Sequence, residues 1–155
     1  MNSDRMVDLG LVGRCGLYCG TCGVYRGYRE GGELIEHLSE RWKIPKEKFK
    51  CEGCSTLTPE CWGWGCEIVK CLDVKNYKFC IDCNSFHDRT CERYENISAR
   101  YMKRGEDIRK SLQEIKDRGA IKWLEEQDKR WRCPSCGKPI SVHVEKCYSC
   151  GAVLA

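Results

Sequence analysis

The chain has 155 residues, a formal net charge of +4 and 15 cysteines. Cysteine at close to one residue in ten is the level at which thiols become the framework of a small fold. Leu, Ile, Val and Phe are too sparse to fill a large core. The thiols are therefore expected to stabilise the fold, either as disulfides or as metal ligands.

Three observations favour metal binding over a disulfide framework. Residues 1–8 contain no apolar run before their charges, so we predict no signal peptide. An odd number of cysteines would leave one thiol outside a set of disulfides. No stretch approaches the roughly 20 apolar residues of a membrane span, so we predict no membrane contact. Together these observations predict metal binding in a reducing cytoplasm.

The cysteines divide the chain into three parts. Residues 1–95 contain eleven cysteines, residues 96–131 contain none, and residues 132–155 contain four. We predict an N-terminal cysteine-rich metal-binding module, a basic helical linker and a zinc ribbon, in that order. The predicted fold class is a small metal-stabilised α+β protein: a loop-rich cysteine module with short helices, a helical linker and a C-terminal β-hairpin zinc ribbon.

The eleven N-terminal cysteines begin with the spacing C-x3-C-x2-C, and we predict all of them as metal ligands. Eleven thiols cannot fill three four-coordinate sites without a twelfth donor. His87 could supply that donor, although we favour a surface histidine in a loop; alternatively, two sites use eight thiols. The cysteines are Cys15, Cys19, Cys22, Cys51, Cys54, Cys61, Cys66, Cys71, Cys80, Cys83 and Cys91.

The spacing of Cys15, Cys19 and Cys22 also matches the one that holds a three-cysteine [4Fe–4S] cluster in radical S-adenosylmethionine enzymes. Barrels of the TIM type need about 200 residues or more, so this chain is too short for that chemistry. An iron–sulfur cluster for electron transfer or redox sensing stays open as an alternative, because sites of four cysteines suit both zinc and iron–sulfur.

Four segments of the first part form a recognisable combination: Cys15-Gly-Leu-Tyr-Cys19-Gly-Thr-Cys22, Cys51-Glu-Gly-Cys54, Cys66-Glu-Ile-Val-Lys-Cys71 and Cys80-Ile-Asp-Cys83. The combination resembles a family of small cysteine-rich prokaryotic proteins of unknown function that open on a CGLYC segment. The resemblance covers roughly residues 14–95 and implies zinc binding without a known activity. The chain departs from the family pattern in the four residues between Cys61 and Cys66 and in the longer gap before Cys91.

Two tryptophans, Trp62 and Trp64, lie in a Gly-flanked loop between Cys61 and Cys66. Exposed tryptophans could stack on a nucleic-acid base or anchor a partner protein. Buried ones would cover the metal sites in place of a conventional core. We favour the buried arrangement, because so little else in this part is apolar.

Hydrophobic periodicity predicts three helices. The first covers residues 33–42 and stops before Pro45. The second lies within residues 105–119, with Glu106 and Asp107 in its first turn and Gly119 after its end. The third covers residues 120–131, where Trp123 and Trp131 are expected to dock the helix and the start of the ribbon.

The positive charge is concentrated in the predicted linker. Residues 96–132 carry 11 basic and 7 acidic side chains, whereas residues 1–95 carry 14 and 15. We favour a solvated helix face, although nucleic acid could bind through residues 100–122. Because metal-bound cysteine is thiolate, fifteen bound thiolates with four zinc ions would change the net charge to about −3. The basic residues within 100–122 are Arg100, Lys103, Arg104, Arg109, Lys110, Lys116, Arg118 and Lys122.

The last part resembles a zinc ribbon over residues 132–151, with the spacing C-x2-C-x10-C-x2-C. The two-residue gap lets both thiolates of one turn reach the same ion, and the glycine that follows each pair allows positive φ. We predict a structural Zn²⁺ site and a half-buried strand over residues 140–144, in which His143 points outward. The predicted zinc ligands are Cys133, Cys136, Cys147 and Cys150.

The sequence thus predicts a non-catalytic protein that binds three to four zinc ions and acts as a protein- or nucleic-acid-interaction module. We find no paired carboxylates in a Gly-rich setting, no phosphate-binding loop and no Ser/His/Asp arrangement. A protein partner of unknown identity is expected. The alternative is an iron–sulfur electron-transfer or redox-sensing protein that uses the N-terminal cysteines.

Overall fold

The structure is a computed structural model that describes residues 8–53 and 57–154. The described residues are rich in helix, and short 3₁₀ turns lie at Leu9–Leu11, Cys19–Thr21, Lys46–Lys48 and Cys80–Asp82. The α-helices within these ranges are α1 (Gly23–Glu30), α2 (Gly32–Trp42), α3 (Glu67–Lys75), α4 (Asn84–Asp88), α5 (Glu92–Met102), α6 (Ile108–Arg118) and α7 (Ala120–Arg130).

The three helices predicted from periodicity are confirmed as α2, α6 and α7. Helix α6 begins two residues later than its acidic residues suggested. Asp107 is its N-cap, and the carboxylate accepts a hydrogen bond from the backbone N–H of Lys110 at 3.0 Å. Glu106 lies before the helix and is fully buried, where it forms an ion pair with Arg130. The prediction that both acids lie in the first turn is therefore wrong.

The larger apolar core joins the N-terminal part to helices α5, α6 and α7. Trp123 of α7 packs edge-on against Tyr18, with ring centroids 6.1 Å apart. Leu112 of α6 is fully buried in the same cluster, and Trp131 packs against it. The segment predicted as a linker therefore supplies core residues to the N-terminal part, while the division of the chain into three parts stays a prediction.

A second, smaller apolar cluster brings the ribbon into contact with the first two helices. Leu38 of α2 is fully buried there, beside Phe49 and Val24 of α1. Val144 belongs to the same cluster. The ribbon thus packs against the N-terminal part through apolar side chains as well as through polar contacts.

The ribbon contains no β-strand within residues 131–154, where β-pairing is limited to two isolated bridges, Arg132↔Pro139 and Lys146↔Val153. The predicted β-hairpin is therefore not confirmed, and the predicted strand over residues 140–144 is wrong. Burial does not alternate there, since Ser141, Val142 and Val144 are all buried. The backbone N–H of Val142 donates to the carbonyl of Thr21 at 2.9 Å, so this segment pairs with the N-terminal part and not with a neighbouring strand.

None of the helices in residues 8–53 and 57–154 combines the length and the apolarity that a membrane span requires.

Candidate metal centre

The four ribbon cysteines lie on two turns with the same backbone geometry. The N–H of Cys133 donates to the carbonyl of Lys138 at 2.9 Å, and the N–H of Cys147 donates to the carbonyl of Ala152 at 2.8 Å. In each turn a glycine with positive φ, 78° at Gly137 and 83° at Gly151, donates its N–H back to the first cysteine's carbonyl. The sequence encodes this repeat locally, because only glycine adopts such a φ without strain.

The sulfur atoms of the ribbon are spaced as zinc requires. The Sγ atoms of Cys133 and Cys150 are 3.7 Å apart, as are those of Cys136 and Cys147. All four ligand atoms lie within 4.8 Å of one another. Tetrahedral Zn–S bonds of about 2.3 Å place sulfurs about 3.8 Å apart, whereas a disulfide bond measures about 2.05 Å. The geometry therefore fits one zinc ion held by four thiolates.

The environment of Cys133 favours the thiolate that a metal needs. The backbone N–H of Cys136 contributes most to lowering the pKa of Cys133 to about 6, and the N–H of Ser135 also donates to this sulfur, at 3.4 Å. Burial of the side chain opposes this shift. A thiol with a lowered pKa releases its proton to a metal at neutral pH more readily than an ordinary cysteine does.

The fold and this site define a helix-rich, cysteine-rich protein that binds metal through a zinc ribbon. Residues 131–154 match a zinc-ribbon domain. Residues 11–96 match a family described as a protein of unknown function (DUF3795), and this match covers more than half of the chain. The chain belongs to that family, as the CGLYC segment and the later cysteine pairs suggested. No curated protein and no solved structure matches the chain.

The first three cysteines do not converge on one point. Cys19 begins a 3₁₀ turn and is almost fully buried, whereas Cys22 is the N-cap of α1. Cys15 packs against the larger core cluster. In the part of the chain that the structure describes, the ribbon thiols form the only group with ligand atoms within 4.8 Å of one another. The C-x3-C-x2-C spacing is therefore not a preformed three-thiolate site.

Two further cysteines, Cys51 and Cys61, precede and follow residues 54–56 in the sequence. Cys51 is buried in the smaller core cluster. Cys61 is buried as well, and burial alone would raise its pKa; hydrogen bonds from Thr58 outweigh this and hold the pKa of Cys61 below its usual value. Cys54 lies outside the described residues. Cys66 is the N-cap of α3.

The four remaining N-terminal cysteines line one cavity of about 30 Å³. They are Cys71, Cys80, Cys83 and Cys91. Burial raises the pKa of Cys80 to about 12, with smaller contributions from the charges of Cys15 and the other three thiols. His87 is exposed on α4, where its Nε2 lies 2.7 Å from the carbonyl oxygen of Ile81. It lies on a helix and not in a loop, and it does not line this cavity.

The two loop tryptophans are exposed, contrary to the prediction that they are buried. Trp62 keeps 47% and Trp64 keeps 57% of its surface accessible. The loop is held by its backbone, since the N–H of Trp62 donates to the carbonyl of Lys50 at 2.7 Å. Other aromatic residues, Phe86 and Tyr94 among them, already fill the space beside the cysteines.

The basic residues of the central segment do not form one uniform surface. Arg109 donates to the carbonyl of Phe86 at 2.8 Å, forms an ion pair with Glu95 and lies over the Phe86 ring. Arg118 forms ion pairs with Glu126 and Glu114. Arg109 therefore serves the fold, whereas the charge of Arg118 is paired at the surface. Arg100 and Arg104 are also exposed, and both line a groove.

The orientation predicted for His143 is wrong. Its ring is largely buried, and Nδ1 accepts a hydrogen bond from the backbone N–H of Gly23 at 2.9 Å. The ring also packs edge-on against Trp42 and Tyr101. His143 is not among the ribbon ligands. Sequence reasoning missed this role, because no local pattern indicates a contact 120 residues away.

We expect the buried ring of His143 to make stability depend on pH. Burial, with smaller contributions from the charges of Arg104 and Arg41, lowers its pKa to about 4. In the unfolded chain this histidine titrates near pH 6.5. The stabilisation that arises from the difference between the folded and unfolded pKa values is therefore fully present above about pH 6.5 and is lost as the pH falls toward 4. It amounts to roughly 3 kcal/mol at most.

This prediction is tested by denaturant unfolding of the wild-type protein and His143→Gln at pH 7.5 and pH 5. The glutamine keeps an acceptor for Gly23 but does not titrate, so the variant should lose less stability at pH 5 than the wild-type protein does. Zinc release in acid affects both proteins alike. Equal losses in the two proteins would contradict the assigned role of the histidine.

Proposed function

We propose that this chain is a non-catalytic protein that binds several zinc ions and presents a groove to a partner macromolecule. A single observation carries the proposal: aromatic and cationic side chains from three parts of the chain line one open groove of about 430 Å³. Its polar and aromatic walls are Trp42, Trp62, Arg100, Tyr101, Arg104 and His143.

The side chains of this groove are the types that dominate binding energy at protein interfaces. Tryptophan, tyrosine and arginine are enriched among residues whose truncation costs an interface the most. Trp62 is half-exposed, and Arg100 and Arg104 are exposed on α5 and just after it. Trp42 and His143 pack edge-on with ring centroids 5.2 Å apart, so these two lining rings stabilise each other's position.

The chemistry of the ribbon supports a structural and not a catalytic role for its metal. Four thiolates complete the tetrahedral coordination of zinc, so no position stays open for water or a substrate. Zinc bound in this way supplies folding energy to a segment without a core of its own. The ribbon thereby positions His143 and Val142 against the N-terminal part and forms one wall of the groove.

The balance of charge favours a protein partner over nucleic acid. Arg109 and Arg118 are engaged in ion pairs, and bound thiolates lower the net charge further. A single-stranded nucleic acid is the second candidate. The observation that favours it is Trp62 beside Arg100 and Arg104, since bases stack on exposed aromatic rings while arginines contact phosphates.

Substitution of Trp62 tests the groove. We expect Trp62→Ser to weaken binding of a partner isolated with the full-length wild-type protein by about 30-fold, the loss typical of a central aromatic anchor. Trp64→Ser is the matched control, because Trp64 lies in the same loop, is at least as exposed and does not line the groove. Affinity is measured by titration calorimetry with purified partner.

A fluorescently labelled random single-stranded RNA decides between the two classes of partner. Binding that weakens with salt and with Trp62→Ser would replace the protein partner by nucleic acid. Equal behaviour of Trp62→Ser and Trp64→Ser toward every partner would remove the groove as the binding surface. The iron–sulfur alternative is tested by anaerobic purification: a colourless protein with zinc supports the proposal, whereas a brown protein with iron and sulfide contradicts it.

A further inference from the structure

We propose that Cys71, Cys80, Cys83 and Cys91 form a second zinc site, separate from the ribbon. This inference deepens the proposed function in one respect only, the number of zinc ions, and does not depend on the identity of any partner. Sequence spacing alone left the grouping of the eleven N-terminal cysteines open. The fold selects these four, because their side chains line the same small cavity.

Three different pieces of backbone bring these thiols together. Cys71 lies on α3, Cys80 begins the 3₁₀ turn Cys80–Asp82, and Cys83 and Cys91 are the N-caps of α4 and α5. The pair Cys80 and Cys83 has the C-x2-C spacing of the ribbon turns. Their turn is closed by a hydrogen bond from the N–H of Cys83 to the carbonyl of Cys80 at 3.0 Å.

Two of the four thiols, Cys83 and Cys91, have neighbours that stabilise their thiolate forms. The ammonium group of Lys75 lies 3.4 Å from Cys83 Sγ, where it offsets negative charge. Cys91 Sγ accepts a hydrogen bond from the N–H of Tyr94 at 3.4 Å in the first turn of the eleven-residue α5. Backbone donors and a nearby cation both stabilise the charged form of cysteine. Arg93 and four apolar or aromatic side chains complete the lining: Ile68, Leu72, Phe86 and Tyr94.

The number of thiols matches one zinc ion, because four thiolates complete its tetrahedral coordination. The four sulfurs are spread more widely than those of the ribbon. Rotation of a cysteine side chain between staggered rotamers moves its sulfur by about 3 Å, and binding of one ion would require the four thiols to reorient in this way.

Zinc counts in single and double variants of the full chain test this grouping. We expect Cys83→Ser and Cys91→Ser each to lose one zinc ion per chain, measured by plasma mass spectrometry after removal of loosely bound metal. The double variant should lose the same one ion, because both thiols serve one site. Cys83→Ser combined with Cys150→Ser should lose two, because the second change removes the ribbon ion. Losses from Cys83→Ser and Cys91→Ser that add, or no loss from either, would overturn the grouping.

Cys15→Ser is the matched control. Cys15 lies near Cys80 but does not line the cavity, so this variant should keep the second zinc ion. Loss of that ion from Cys15→Ser, together with its retention in Cys71→Ser, would show that the four ligands are wrongly assigned.

A measurement on the wild-type protein covers the case in which a variant fails to fold. Stepwise removal of zinc with a chelator, followed by alkylation and peptide mapping, should expose the four thiols in parallel and as a group distinct from the ribbon thiols. Labelling of these thiols at full rate in the zinc-loaded protein would overturn the site. Iron and sulfide released with the same four thiols would overturn the assignment to zinc. None of these outcomes depends on partner binding, so this inference and the proposed groove can fail separately.

Discussion

Replacement of Cys147 by serine is expected to release the ribbon's zinc ion and to unfold residues 131–154. Cys147 is almost fully buried, and its sulfur lies 3.7 Å from that of Cys136. The apparent binding free energy of structural zinc is about 10 to 16 kcal/mol at pH 7, and much of it is folding free energy. The last segment has few apolar residues to replace that contribution. We therefore expect its structure to depend on the metal.

The expected result is one zinc ion fewer per chain and rapid proteolysis of the C-terminal segment at neutral pH. Ser149→Ala is the control, because Ser149 lies in the same turn and is not a ligand. That variant should keep its zinc and resist the protease as the wild-type protein does. A Cys147→Ser protein with an intact, protease-resistant ribbon would show that zinc does not hold this segment together.

Replacement of Gly16 by alanine is expected to destabilise the protein by roughly 3 to 5 kcal/mol, through backbone strain and steric overlap together. Gly16 has a φ of 102°, which residues with a side chain rarely adopt. A Cβ atom at this position would lie 2.3 Å from the backbone carbonyl oxygen of Ile108 and 3.0 Å from Leu112 Cγ. The turn between Cys15 and Leu17 thus lies directly on α6. Relief of the overlap would separate these two elements in the larger core.

Gly105→Ala separates the two causes, since Gly105 has a φ of 82° but no neighbouring atom within 4 Å of the position that a Cβ would occupy. We expect this control to cost only about 1 to 2 kcal/mol, from backbone strain alone. Denaturant unfolding at fixed pH and saturating zinc measures both changes. Equal losses in the two variants would mean that the close approach of Gly16 to α6 contributes nothing to stability.

Local patterns in the sequence predicted local structure well. The cysteine pairs with their following glycines specify the two ribbon turns, because every contact that defines such a turn lies within six residues. Helices α2, α6 and α7 follow from apolar residues at helical spacing. The family resemblance of the N-terminal part, based on combined cysteine spacing, is confirmed as well.

Predictions that depended on distant contacts were less successful. The segment from Ile140 to Val144 alternates like a strand, yet the carbonyl of Ile140 and the N–H of Val142 both bond to the distant Thr21. Trp62 was expected to be buried, because apolar residues are few in the N-terminal part. Apolar side chains from helices α5 to α7 form the larger core instead. Similarly, spacing gave no means of placing Cys71 of α3 beside Cys91, because the path of the chain between them decides their distance.

The hydrogen bonds between Thr21 and the ribbon have a consequence for how the molecule unfolds. Thr21 Oγ1 donates to the carbonyl of Ile140 at 2.9 Å, and the Thr21 carbonyl accepts from Val142, while Gly23 donates to His143. These three bonds join opposite ends of the chain within one short stretch next to Cys22. Heat should therefore melt the two ends in a single cooperative transition, whose midpoint rises with zinc concentration for residues far from the ribbon as well as for the ribbon itself.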